Sequence, residues 1–66
     1  MNITINGQDL TFDQKLSIKN FLDTKNINMD SVVVELNQTI IPSEKYHTTW
    51  LTHNDKLEIL RFVGGG

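Results

Sequence analysis

The chain has 66 residues and a mass of 7.6 kDa, room for one small domain and no second. Leu, Ile, Val and Phe supply 21 of the 66 residues, above the roughly 20 % below which a chain tends to stay disordered. The formal net charge is −2, with the six basic residues scattered among acids, and there are no cysteines; this disfavours nucleic acid and anionic membrane as partners and excludes disulfides, thiolate metal sites and a cysteine nucleophile.

In chain order, Met1, Ile3 and Ile5 alternate with Asn2, Thr4 and Asn6, and Leu10 and Phe12 alternate with Asp9, Thr11 and Asp13. Period two predicts two half-buried strands. Asn6-Gly7 between them predicts a type I′ hairpin, because both residues tolerate positive φ. The period then changes: Ile18, Phe21 and Leu22 share one face of a short helix of about 8 residues. Ser17 is placed as its N-cap, Leu16 and Phe21 hold the positions of a hydrophobic staple, and Asn26 suits a left-handed cap at the far end. A helix this short must dock on the hairpin to be stable.

Val32-Val33-Val34-Glu35-Leu36 is β-branched and strand-like. Asn37-Gln38 reads as a turn and Thr39-Ile40-Ile41 as a returning strand stopped by Pro42. Residues 43–54 carry little pattern, apart from Leu51 as a core anchor. His53-Asn54-Asp55 reads as a turn before a final strand over residues 56–63. The order β-β-α-β-β-β is that of a β-grasp, an α+β fold in which a mixed sheet of four or five strands wraps one helix. The crossover rule favours the strand after the helix lying parallel to the first hairpin strand. Residues 1–63 would form the domain and residues 64–66 a flexible tail.

Three consecutive glycines close the chain. At about 7 % usage each, that arises by chance on the order of 3 times in 10,000. A frayed end is the bland reading. The alternative follows from chemistry: Gly64, Gly65 and Gly66 have no side chains and can thread a narrow channel in another protein. Three extended residues reach roughly 10 Å, and the only reactive group at the tip is the α-carboxylate of Gly66. A carboxylate is a poor electrophile but can attack the α-phosphate of ATP. The resulting acyl-adenylate is open to sulfur or nitrogen, and glycine neither crowds the acyl carbon nor racemises.

Here the sequence resembles the ubiquitin-like sulfur carriers, and within them the ThiS family. The resemblance spans nearly the whole chain: Ile3-Thr4-Ile5-Asn6-Gly7, Ser17-Ile18-Lys19-Asn20-Phe21-Leu22, Val32 to Asn37, Ile41-Pro42, Asp55 to Ile59, and Phe62-Val63-Gly64-Gly65-Gly66. The terminal Gly-Gly is shared with molybdopterin-synthase small subunits and ubiquitin-like modifiers; the length and the Val-Gly-Gly-Gly ending look more like ThiS. There are departures. His53-Asn54-Asp55 stands where the family commonly has Asp-Gly-Asp, a turn Asn can sustain, and Ser43 replaces a basic residue often found after the proline.

The resemblance implies a carrier, not an enzyme. A ThiF-type adenylyltransferase would adenylate Gly66 with ATP and Mg, a persulfide relay from a cysteine desulfurase would convert it to a thiocarboxylate, and a ThiG-type thiazole synthase would take the sulfur for the thiamine thiazole. No cofactor would be bound by the carrier itself. Strand alternation suggests the docking surface. If Leu57, Ile59, Val32, Val34 and Leu36 point inward, then Glu58, Leu60, Phe62, Val33 and Glu35 point outward. Val33, Leu60 and Phe62, with Glu58 beside them, would form an apolar partner-docking patch next to the tail, unless a loop covers it.

Other features carry less. His47 and His53 lack further ligands for a metal and read as surface histidines. Ser17 is committed to capping, and nothing supplies an oxyanion hole. Trp50 reads as a packing residue, with an interface anchor as the alternative. No apolar run nears the roughly 18 residues of a membrane span and no secretory signal is visible, so the expected location is the cytoplasm. Three readings compete with the ThiS-type carrier: a molybdopterin-synthase-type sulfur carrier, a ubiquitin-like modifier ending in an isopeptide bond, and a non-covalent interaction domain whose glycines are incidental.

Overall fold

Asn6 and Gly7 adopt φ of 48° and 81°, both in the left-handed region that a type I′ turn requires. They join β1 (Asn2–Ile5) to β2 (Gln8–Thr11) in an antiparallel hairpin with Ile3 opposite Leu10. Of the chain, the computed structural model describes residues 1–62; the expected tail 64–66 and the domain limit at residue 63 lie outside them.

The helix α1 (Ile18–Thr24) starts at Ser17, whose hydroxyl accepts from the Asn20 N–H at 3.0 Å while the Asn20 amide oxygen accepts from the Ser17 N–H at 3.3 Å. This is a capping box with Asn in the third position. At the other end Asn26 turns left-handed at φ 55°. The Ile27 N–H reaches the Leu22 carbonyl at 2.9 Å and the Asn26 N–H the Asp23 carbonyl at 3.1 Å, a Schellman closure that tucks Ile27 under the helix. Ile18, Phe21 and Leu22 are buried, and Phe12 meets the Phe21 ring edge-on at 5.9 Å.

β3 (Val32–Leu36) and β4 (Thr39–Ile41) pair antiparallel across Asn37 and Gln38, both at positive φ. β5 (Lys56–Arg61) enters through Asn54 at φ 72°. The sheet order is β2-β1-β5-β3-β4, a five-stranded mixed sheet over one helix, as the β-grasp reading expects.

The pairing corrects one expectation. The strand parallel to and beside β1 is β5, not β3; β3 lies one lane further out and is antiparallel to β5, hence to β1. Burial patterning does not rank the two lanes, because Leu57 and Ile59 of β5 and Val32 and Val34 of β3 are all buried. The long segment after β4 gives the chain enough length to return beside β1.

That segment is where the sequence pattern was weakest. It contains a 3₁₀ turn (Ser43–Lys45) and then Tyr46, only 2 % exposed and part of the core beside the expected Leu51. A second 3₁₀ turn (Met29–Ser31) precedes β3. The segment is tied to the helix start: the Ile18 N–H bonds the Thr49 carbonyl, the Lys19 N–H the Tyr46 carbonyl and the Leu51 N–H the Leu16 carbonyl, at 3.0, 3.0 and 2.8 Å. Burial pushes the Tyr46 phenol above its ordinary 10.0, with a backbone hydrogen bond to Val34 pulling the other way.

Candidate functional site: the outer sheet face and the stem of the last strand

β5 is the strand that leads toward Gly66, and asparagine side chains grip it on both flanks. On the β3 side the Asn37 N–H donates to the Lys56 carbonyl at 2.8 Å, and the Asn37 Oδ1 accepts from the Lys56 N–H at 2.9 Å. On the β1 side the Asn6 Oδ1 accepts from the Ile59 N–H at 2.8 Å, and its Nδ2 donates to the Ile59 carbonyl at 3.2 Å. The Asn6 amide thus mimics one more residue of β1 after the backbone has turned away. The sequence marks Asn6 and Asn37 only as turn residues; their second role becomes visible once β5 is known to lie between them.

The turn before β5 is also fixed. Asp55 accepts from the Thr52 N–H at 2.7 Å and from the Asn37 Nδ2 at 3.0 Å. His53 is exposed and its Nδ1 accepts from the Asn2 N–H at 3.0 Å, which gives it a structural partner. His47 is exposed as well, and among the described residues no group of three or more His, Cys, Asp or Glu is placed to hold a metal ion.

Side chains alternate across the sheet, so one face meets the helix and the other meets solvent. The solvent face has two unlike halves. Over β1 and β2 it is polar and internally paired: the Thr4 hydroxyl donates to Asp9 at 2.8 Å, and the Thr11 hydroxyl donates to the Asn2 Oδ1 at 3.1 Å. Over β5, β3 and β4 it is apolar with an acidic border. Leu60 lies opposite Val33, and Glu58 opposite Glu35, which in turn faces Ile40. Leu60 is 54 %, Phe62 60 % and Ile40 64 % exposed. The Phe62 N–H bonds the Ser31 carbonyl at 2.9 Å, so the chain still follows β3 at that point.

The structure therefore brings Val33, Leu60, Phe62 and Glu58 onto one face at the end of β5, with Val33 half-buried and the other three exposed. Ile40 extends the patch, and alternation alone does not single it out. In Thr39-Ile40-Ile41 one isoleucine must face outward, and only the register with Glu35 decides which. Trp50 is 53 % exposed, bridged to Ser17 near the helix start, away from this face. Gly64, Gly65 and Gly66 lie outside the described residues.

A mixed five-stranded sheet on one helix, with an exposed apolar face beside the strand that leads to a glycine end, defines a β-grasp protein of the ubiquitin-like class. The ThiS family pattern matches residues 2–66, and the chain belongs to the ThiS family. A sulfur carrier protein ThiS from Bacillus subtilis is 35 % identical over 65 residues, covering 97 % of this chain and 98 % of that one. The crystal structure of a thiamine biosynthesis protein (ThiS) from Geobacter metallireducens superimposes with a TM-score of 0.85 at 33 % identity, covering 100 % of both chains. A thiazole synthase from Paramagnetospirillum magneticum is 33 % identical over 66 residues, all of this chain and 20 % of that protein. Among the described residues, no helix is long and apolar enough to cross a membrane.

Proposed function

We propose that this chain is a sulfur carrier of thiamine biosynthesis whose working group is the Gly66 carboxylate. The observation that carries the reading is that the family match runs through Gly66, so the glycine end belongs to the pattern along with the fold. The alignment with part of a thiazole synthase supports a ThiG-type thiazole synthase as the sulfur acceptor.

The chemistry divides between the carrier and its partners. A ThiF-type adenylyltransferase, using ATP and Mg, lets a Gly66 oxygen attack the α-phosphate; pyrophosphate leaves and an acyl-adenylate forms. The terminal sulfur of a persulfide, charged by a cysteine desulfurase, then attacks the acyl carbon and AMP leaves. A partner thiol cleaves the sulfur–sulfur bond, giving a disulfide on the partners and a thiocarboxylate on Gly66. The carrier brings no cysteine and supplies the acyl group, its slender approach through Gly64 and Gly65, and a docking face. That proposed face is Val33, Leu60, Phe62 and Glu58, and the exposure of Ile40 beside Glu35 supports including it. The thiol steps suit a reducing compartment, and the cytoplasm is the proposed location.

The test is intact-mass spectrometry of the chain incubated with adenylyltransferase, Mg-ATP and a persulfide source. A mass rise equal to replacing one oxygen by sulfur supports the carrier. Larger conjugates would mark a modifier, and an unchanged mass would favour a non-covalent interaction domain.

A further inference from the structure

The hydrogen bonds along β5 alternate between its two flanks, as ladder geometry requires. On the β1 flank the Thr4 N–H bonds the Asp55 carbonyl, the Asn6 N–H bonds the Leu57 carbonyl, and the Asn6 amide takes both backbone groups of Ile59. On the β3 flank the partners are Lys56 and Phe62. By this alternation the N–H and carbonyl of Arg61 face the β1 flank. There β1 has already ended, because the chain reverses at Asn6-Gly7. A Cβ built on Gly7 meets nothing within 4 Å, so the hairpin tip is open on that side.

The gap is the edge of a groove of about 400 Å³ lined in part by Leu10, Phe21 and Ile27, with Lys25 and Arg61 among its walls. Lys25 lies 6.0 Å from the Phe21 ring centroid. The one ion pair among the described residues is Lys19 with Asp23, so neither groove cation is neutralised there. Lys25 has a second reason for its place, since a cation suits a helix C-terminus. Arg61 does not. It follows Leu57 and Ile59 on the side of the sheet that faces the core, where continued alternation calls for an apolar side chain.

We propose that this flank of β5 is a strand-addition site, at which an extended acidic segment of the adenylating partner pairs with the Arg61 backbone in the lane β1 vacates. An unpaired strand edge offers main-chain bonds for affinity while flanking side chains give specificity. Here the flanking chemistry is a mixed groove, apolar at Leu10, Phe21 and Ile27, polar at Asn6 and Gln8, with two cations, which fits a segment carrying a carboxylate next to an apolar residue. The inference rests on the carrier reading above. It adds a second contact to the docking face: the partner grips the last strand by its edge as well as by its outer face, and so aligns the chain that leads to Gly66.

The test is hydrogen–deuterium exchange of the ¹⁵N-labelled full chain, alone and saturated with a ThiF-type adenylyltransferase, read by NMR after quenching. Gly66 charging is followed by mass on the same preparation. The Arg61 amide should exchange freely in the isolated chain and slow at least tenfold in the complex. The double variant Lys25→Glu, Arg61→Glu should bind at least tenfold more weakly. An Arg61 amide already protected in the isolated chain, or unprotected in a complex that still charges Gly66, overturns strand addition and leaves the carrier reading standing. An enzyme that neither binds nor charges the native chain overturns both.

Discussion

Replacing Asn6 separates its roles as turn residue and as clamp on β5. Asn6→Gly keeps the positive φ of 48° at no steric cost but removes the bonds to the Ile59 N–H and carbonyl. At about 1 kcal/mol each, the two bonds amount to about 2 kcal/mol. In a domain of this size that lowers Tm by about 8–16 °C. Asn6→Ala removes the same bonds and also forces a Cβ-bearing residue without a local polar side chain into the left-handed region, for about 1 kcal/mol more. Urea denaturation with fluorescence or circular dichroism measures both. The expected ranking is native, then Asn6→Gly, then Asn6→Ala, with the amides at the end of β5 losing exchange protection first. An Asn6→Gly variant within 0.5 kcal/mol of the native chain would refute the clamp and leave Asn6 as a turn residue only.

Other consequences can be checked alongside. Tyr46 is buried with its phenol pushed above 10.0. The folded state therefore holds the proton more tightly than the unfolded state, so the Tyr46 contribution is fully present below pH 10 and is lost as pH rises through the higher folded value. Denaturation of the native chain and of Tyr46→Phe across pH 8–12 should diverge only above about pH 10, and parallel curves would contradict the assignment. Leu60→Ser and Phe62→Ser, at exposed positions, should change stability by no more than about 0.5 kcal/mol yet weaken binding to the adenylyltransferase about tenfold, a loss expected of apolar contacts at an interface centre. Titration calorimetry reads that affinity, and unchanged binding would remove the face from the account. Glu58→Gln relieves a like-charge pair with Glu35 and should raise stability at pH 7 by about 0.2–1 kcal/mol, with the gain shrinking in high salt; a loss of stability would show that Glu58 has a partner of its own.

Much of this fold is written in local pattern. Alternation located the hairpin and the β-branched strands, and the Asn-rich turns fell where positive φ is needed, at Asn6, Asn26, Asn37 and Asn54. Three features were not legible for identifiable reasons. The lane of β5 was hidden because β3 and β5 each bury two apolar residues, Val32 and Val34 against Leu57 and Ile59, and periodicity does not rank distant segments. Tyr46 is held by a single 3₁₀ turn, too short to show a period. Asn6 and Asn37 bond residues far away in sequence, and an amide side chain carries no mark of its partner. The outward face was partly legible. Val33, Leu60, Phe62 and Glu58 follow from alternation, whereas Ile40 required the register against Glu35. The proposed tail chemistry comes from the composition of Gly64–Gly66 and the family likeness.

The central claim is that sulfur is carried on the last carboxyl group. Fragmentation mass spectrometry of the chain after reaction with adenylyltransferase, Mg-ATP and a persulfide source locates the added atom, with a chain lacking Gly66 treated in parallel. The expected oxygen-to-sulfur mass change resides on Gly66 alone, and the shortened chain folds but gains nothing. Sulfur found on any other residue, or a shortened chain charged as readily as the native one, would contradict it.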